Sequence, residues 1–141
     1  MSVKRSACTW GLSVLLLVCA GPGLAGEPVK EATRVAEAWL ALVDAGDYDK
    51  SWDQAAALFK QAVTREQWAG AAAAVRQPLG RKVSRKLKSA QYAETLPGAP
   101  DGQYVVIQFE TVFAQKKQAV ETVTPMRDAD GRWRVSGYYV K

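Results

Sequence analysis

The C-terminal part of the chain constrains the fold most, because residues 103–141 alternate between apolar and polar side chains with a period of two. That period is typical of strands that turn one face to a core. A polar stretch at residues 115–118 and the pair Asp130 and Gly131 divide the region, and Asp-Gly favours a tight reversal. We therefore predict three sequential antiparallel strands. One face of the last strand is predicted to carry Trp133, Val135, Gly137 and Tyr139.

Three helices are predicted ahead of these strands: residues 27–45, Asp47 to Phe59, and Thr64 to about Pro78. Apolar side chains recur in each at helical spacing, so each helix has one face for a core. Thr64 and Gln67 have the spacing of a capping box. A basic strand is predicted within residues 81–95. The predicted fold class is α+β, with three N-terminal helices packed on a curved antiparallel sheet of about four strands.

Residues 1–25 have the pattern of a secretory signal peptide. Lys4 and Arg5 precede an apolar run, and small residues lead up to a cleavage position after Ala25. The run is shorter than the roughly 20 apolar residues that span a bilayer, which disfavours a membrane anchor. Lipidation at Cys19 is a second alternative. The chain is predicted to be exported, periplasmic or secreted, with residues 26–141 forming a single domain and no transmembrane segment in the mature protein.

The composition excludes several kinds of site. The sequence has no histidine, and its two cysteines, Cys8 and Cys19, both lie in the predicted signal peptide. The usual base of a nucleophilic site is therefore missing, and so are the preferred ligands of zinc. We predict no metal and no cofactor. Removal of Lys4 and Arg5 with the signal peptide would lower the net charge from +5 to +3, since 17 basic and 14 acidic residues remain. This charge is too small to imply a polyanionic partner, and no nucleic acid is expected.

Several blocks resemble an exported bacterial family catalogued as domain of unknown function 4019. The blocks are Ala38-Trp39-Leu40, Gly46-Asp47-Tyr48, Arg65-Glu66-Gln67-Trp68 and Trp133-Arg134-Val135-Ser136-Gly137-Tyr138-Tyr139. The predicted architecture also resembles, more loosely, the cone-like fold of the nuclear transport factor 2 and ketosteroid isomerase superfamily, a cystatin-like arrangement. The first resemblance implies export but no activity, and the second implies only a fold.

Aromatic side chains on the apolar faces are candidates for core positions or for the lining of a ligand pocket. Those proposed as pocket lining are Trp39, Trp52, Phe109, Trp133 and Tyr139. In a cone-like fold some of them would face a small apolar ligand. The sequence leaves both alternatives open.

Catalysis would require a carboxylate and a tyrosine that share an apolar pocket, as in a cone-fold isomerase. The candidates near the sheet are Glu110, Glu121, Tyr104, Tyr138 and Tyr139. Glu110 alternates with the apolar set, so it is predicted to pair with a cation at the surface. No catalytic residue is assigned.

The segment before the sheet region is strongly basic. A basic patch of Arg81, Lys82, Arg85, Lys86 and Lys88 could bind an anionic envelope. The same charges could instead guard an exposed strand edge against pairing with another sheet.

These observations favour an envelope protein that binds a ligand or partner without catalysis. The expected partner is a small apolar ligand or an envelope component. The alternatives are a small isomerase- or hydratase-type enzyme and a protein that binds the anionic envelope through its basic strand.

Overall fold

The computed structural model describes residues 23–141, in which four helices precede four strands. The elements are α1 (Gly23–Asp44), α2 (Tyr48–Asp53), α3 (Ala57–Ala62), α4 (Arg65–Leu79), β1 (Lys82–Ala93), β2 (Tyr104–Phe113), β3 (Lys116–Arg127) and β4 (Trp133–Val140). Nearly all of the predicted signal peptide lies outside the described residues, and so do both cysteines.

Helix α1 buries one apolar stripe, as its sequence predicted. The stripe consists of Ala32, Ala36, Trp39, Leu40 and Val43. Gly46 follows the helix with a φ of 75°, and its N–H donates to the Val43 carbonyl at 3.0 Å. A left-handed glycine at this position is a common way to end a helix.

The predicted second helix is divided into α2 and α3. The break includes Ala55 and Ala56, which are both buried. The Ala56 N–H donates to the Val135 carbonyl of β4 at 2.8 Å instead of to a carbonyl within a helix. A tertiary hydrogen bond therefore interrupts a segment whose apolar spacing is helical throughout.

Helix α4 begins with the predicted capping box. The Thr64 hydroxyl accepts a hydrogen bond from the Gln67 N–H at 3.2 Å, and the Gln67 side chain accepts one from the Thr64 N–H at 2.9 Å. These contacts satisfy N–H groups that a helix start otherwise leaves free. Gly80 follows the helix with a φ of 74°.

The four strands form one antiparallel sheet in the order β1-β2-β3-β4. Each strand pairs with the next along the chain, so β1 and β4 are the edges. Register shifts occur in all three strand pairs, and such irregularities bend a sheet. The predicted α+β class is confirmed.

One register shift changes the predicted face of β4. Thr124 pairs with Gly137, but the next residue, Pro125, pairs with Val135. Tyr138 therefore pairs with buried Val123 and packs against the core. Tyr139 is 49% exposed, so the prediction that placed it on the inner face of the strand is wrong.

The core lies between the helices and the inner face of the sheet, and aromatic rings fill much of it. Trp39 lies 5.6 Å from Trp68 and 5.5 Å from Tyr138, measured between ring centroids. The Trp39 indole N–H donates to the Ser51 carbonyl at 2.8 Å, and the Trp68 indole N–H donates to the Ser51 hydroxyl at 2.9 Å. Ser51 on α2 thus satisfies two buried donors, and the rings hold Tyr138 in place at the sheet.

Candidate functional site

Polar side chains meet inside the molecule where the C-terminal ends of α1 and α4 contact the sheet. We call this group the buried polar cluster: Asp44, Arg76, Arg85, Thr111, Glu121 and Tyr138. Charged groups are rarely placed in an interior unless they are paired, so the partners of each group decide what the cluster can do.

Glu121 is the centre of the cluster and has no exposed surface. Its Oε1 accepts hydrogen bonds from the Thr111 hydroxyl at 2.6 Å and from Arg85 Nε at 2.7 Å. Its Oε2 accepts one from the Tyr138 hydroxyl at 2.6 Å. The register explains the first two contacts, because Arg85 pairs with Thr111 across β1 and β2 on the inner face.

Asp44 connects the cluster to the end of α1. It accepts two hydrogen bonds from Arg85, at 2.7 and 2.9 Å, and one from Arg76 at 2.7 Å. Lys82 Nζ lies 4.0 Å from the same carboxylate. Arg85 therefore joins two carboxylates, one on α1 and one on β3, and ties the helix to the sheet. A bidentate contact of this kind suits the planar guanidinium of arginine.

The surroundings shift the pKa values of Asp44, Arg85 and Tyr138. Burial alone would raise the pKa of Asp44, but the hydrogen bonds from Arg85 and Arg76 outweigh it and the pKa is lowered. Burial, followed by the Glu121 carboxylate, raises the pKa of Tyr138 far above its usual value, so the phenol stays neutral and donates. The pKa of Arg85 is also raised, because its hydrogen bonds to Asp44 and Glu121 outweigh burial.

Arg76 is also buried but is less fully hydrogen-bonded. Its Nε and Nη1 have no hydrogen-bond partner among the described residues. The guanidinium carbon lies 4.8 Å from the centroid of the Phe113 ring. A cation over an aromatic face is attracted to it, so the ring partly compensates the arginine for the missing acceptors.

The cluster contains the pair that the enzyme alternative required, a carboxylate and a tyrosine. Both Glu121 oxygens are engaged by donors, however. Neither Glu121 nor Tyr138 lines either of the two pockets described below. A general base must reach the proton it removes. The geometry therefore supports a role for the pair in anchoring β3 and β4 to the rest of the domain.

A groove of about 810 Å³ crosses β1, β2 and β3. The register places six of its lining residues on the face turned away from the helices: Ser84, Lys86, Glu110, Val112, Gln118 and Val120. Lys117 also lines it, together with Arg85 and Thr111 of the buried polar cluster and the buried Ala119. We call it the sheet groove. Its volume lies within the roughly 300–1,000 Å³ range of small-molecule sites.

The sheet groove combines apolar and charged walls. Val112 and Val120 are partly exposed on neighbouring strands. Lys86 forms an ion pair with Glu110 at 3.4 Å, whereas Lys117 has no ion-pair partner among residues 23–141. The groove therefore offers an apolar surface with an uncompensated positive charge beside it.

Comparison with known proteins identifies the family. A family model described as "Protein of unknown function (DUF4019)" matches residues 35–138. The chain belongs to this family. Searches of curated proteins and of solved structures found no match. Membership in DUF4019 confirms the resemblance noted from the sequence blocks, and it assigns no activity.

The aromatics proposed as pocket lining in this DUF4019 domain do not share one cavity. Trp39 and Phe109 are buried in the core. Trp52 is partly buried beneath Lys60 and Arg65, and Trp133 borders a separate pocket. Tyr139 is exposed on the outer face of β4. None of the five lines the sheet groove.

The predicted basic patch does not form one surface. Arg85 points inward to the buried polar cluster, and Lys82 lies toward Asp44. Lys86 is paired with Glu110, while Arg81 and Lys88 are exposed. The segment is strand β1 at the edge of the sheet, so its charges are placed to discourage pairing with another sheet.

The pairing within the buried polar cluster was not predicted, although the sequence contains two signals of it. Glu121 is in phase with the buried residues Ala119 and Val123. Arg76 follows Trp68 and Ala72 at intervals of four on the buried face of α4. A charged residue in phase with a buried face must find a partner inside, but the sequence does not show which one.

Two further kinds of site are not found in the part of the chain that the structure describes. No three His, Cys, Asp or Glu side chains in residues 23–141 are grouped so that they could hold a metal ion. No helix in the same range is long and apolar enough to cross a membrane.

Proposed function

We propose that this protein is an exported, non-catalytic binding domain whose ligand occupies the sheet groove. The observation that carries the proposal is the groove of about 810 Å³, most of whose lining residues lie on the face opposite the core. The buried polar cluster supports it, because its ion pairs join the helices to the sheet. Arg85, which also borders the groove, is held in place by Asp44 and Glu121. Such a scaffold can hold the groove in one shape without a ligand.

The walls of the groove favour a small anionic amphiphile. Val112 and Val120 offer surface to an apolar body, and Lys117 offers an unpaired cation to an acidic head group. The Lys86–Glu110 pair adds no net charge. Burial of apolar area would supply most of the affinity, and the charge would orient the ligand.

A fluorescence titration with 8-anilinonaphthalene-1-sulfonate, which is an anionic aromatic amphiphile, tests this proposal. Val120→Gln removes part of the apolar wall and Lys117→Gln removes the free charge. Lys88→Gln is the matched control, because Lys88 is exposed on β1 but does not line the groove. Each groove variant should weaken binding about three- to tenfold, which corresponds to about 0.7–1.4 kcal/mol, while the control stays within about twofold.

Decanoate should displace the bound dye from the wild-type protein. Far-ultraviolet circular dichroism and urea midpoints would confirm that all variants are folded. Equal affinity in the wild type and both groove variants, or binding that decanoate does not displace, would contradict a groove site.

Export is a separate part of the proposal and has its own test. The supporting feature is the charged, apolar and small-residue order of residues 1–25. Mass spectrometry of the protein recovered from the periplasm or medium should give a chain that begins at Gly26. A lipid-modified chain beginning at Cys19, or a chain that retains residues 1–25, would refute cleavage after Ala25.

A further inference from the structure

A second pocket, of about 310 Å³, lies between α1 and the turn that joins β3 to β4. Three arginines border it: Arg34 from α1, Arg127 from the end of β3, and Arg132 from the turn. The side chain of Trp133 forms part of the wall. We call this the arginine pocket. It shares no lining residue with the sheet groove.

The charges in the arginine pocket are not balanced by its own acids. Arg34 contacts Glu31 at 2.6 Å, and this pair is neutral. Arg127 and Arg132 form no ion pair with any residue of the described chain. The nearby acids of the turn, Asp128 and Asp130, contact Arg134 at 2.9 and 2.8 Å. Arg127 and Arg132 therefore add two positive charges to the pocket lining without a direct ion pair, and Asp130 acts on the Arg132 side chain only through space.

Neutral acceptors hold one of these arginines in position. Arg127 Nε donates to the Gly131 carbonyl at 3.0 Å, and its Nη1 donates to the Gln103 side chain at 3.4 Å. These bonds restrain the guanidinium but leave Nη2 without a hydrogen-bond partner in residues 23–141. Gly131, whose carbonyl accepts the hydrogen bond from Nε, has a φ of 81°, a conformation that favours glycine.

We propose that the arginine pocket binds a small oxyanion, a phosphate or carboxylate, carried on a flat apolar group. The oxyanion would lie between Arg127 and Arg132, because the arginine fork matches phosphate and carboxylate oxygens. The flat group would contact the half-buried indole of Trp133, which already packs against the core. This proposal does not depend on the ligand of the sheet groove.

The test compares three probes by two-dimensional NMR of the purified protein: phenyl phosphate, inorganic phosphate and phenol. Phenyl phosphate should give saturable shifts at the Arg127 and Trp133 side-chain N–H groups. Inorganic phosphate should bind at the same place about three- to tenfold more weakly, since it lacks the ring. Phenol should not saturate the site. Benzoate in place of phenyl phosphate then distinguishes a carboxylate site from a phosphate site.

Arg132→Gln is the decisive variant, because the Arg132 side chain makes no hydrogen bond within the described chain and its loss should not unfold the turn. It should weaken phenyl phosphate about five- to tenfold. Arg81→Gln is the matched control, since Arg81 is exposed and lies outside the pocket. Val120→Gln in the sheet groove should have no effect, which keeps the two sites separable.

Several outcomes would overturn the proposal. Non-saturating shifts would mean only unspecific attraction of anions to a basic protein. Equal weakening of phenyl phosphate binding by Arg81→Gln and Arg132→Gln would also indicate unspecific attraction. If phenol binds as tightly as phenyl phosphate, the affinity comes from the apolar contact with Trp133, and the pocket is not an oxyanion site.

Discussion

Glu121→Gln should destabilise the domain by about 3 kcal/mol, although it changes the shape of the side chain very little. The wild-type carboxylate is fully buried and accepts from Arg85, Thr111 and Tyr138 at 2.6–2.7 Å. Glutamine retains one oxygen acceptor, but its amide N–H₂ cannot accept from the Tyr138 hydroxyl. The substitution also removes one of the two carboxylates that balance the positive charge of Arg85. Breaking a buried ion pair typically costs about 3–5 kcal/mol, and the retained oxygen places this variant at the lower end.

Urea unfolding measures the effect, with Trp39 and Trp68 as fluorescent reporters close to Tyr138. At a slope of about 1.5 kcal/mol per molar urea, a loss of 3 kcal/mol lowers the midpoint by about 2 M. Glu110→Gln is the matched control on the neighbouring strand. Glu110 is 50% exposed and pairs only with Lys86, so its loss should cost less than about 0.5 kcal/mol.

A double-mutant cycle with Tyr138→Phe identifies the source of the loss. Tyr138→Phe alone should cost about 1–1.5 kcal/mol, because Glu121 Oε2 loses its donor. In the double variant the glutamine amide no longer meets the hydroxyl, so the combined cost should fall below the sum by about 1 kcal/mol. If Glu121→Gln is as mild as Glu110→Gln, the buried polar cluster does not stabilise the fold and this account of it is wrong.

Three further predictions concern single positions. Thr64→Ala should lower the unfolding free energy, measured by urea unfolding, by about 1 kcal/mol. Thr64→Asp retains the cap and should be nearly neutral, so an equal loss in both variants would refute the cap. The pKa of Asp44 is lowered below 3.8, so its stabilisation is complete above that pH and is lost as the pH falls through the folded value. In the Asp44→Asn variant, the unfolding free energy should therefore fall less steeply as the pH drops below about 4. Part of the fall should remain, because the pKa of Asp130 is also lowered, to about 2. An unchanged slope would exclude Asp44 as its source. Gly80→Ala should lower the unfolding free energy more than Gly46→Ala does. Both glycines have a positive φ, but only a Cβ at position 80 would lie 3.3 Å from a neighbouring side chain. Equal urea midpoints for the two variants would contradict a packing contribution.

The local pattern of the sequence was sufficient to predict most of the elements. The alternation in residues 103–141 predicted β2, β3 and β4, and the spacing of Thr64 and Gln67 predicted the start of α4. These features depend on contacts between residues close in sequence, so each segment carries its own signal. The same local pattern did not predict the break at Ala56, because the hydrogen bond that causes it comes from Val135 on another strand.

The candidate sites were decided by tertiary structure. Arg85 was predicted as part of a surface patch, but its partners Asp44 and Glu121 lie 41 and 36 residues away along the chain. Only the register of β1 with β2, and of β2 with β3, turns Arg85 inward toward both carboxylates. The sheet groove and the arginine pocket likewise combine residues from separate elements. The sequence by itself determined most of the apolar faces and the start of α4 at its capping box. The partner of each buried charge and the walls of each pocket were decided by the packing of those elements, because a charge in phase with a core face requires a partner without specifying which residue it is.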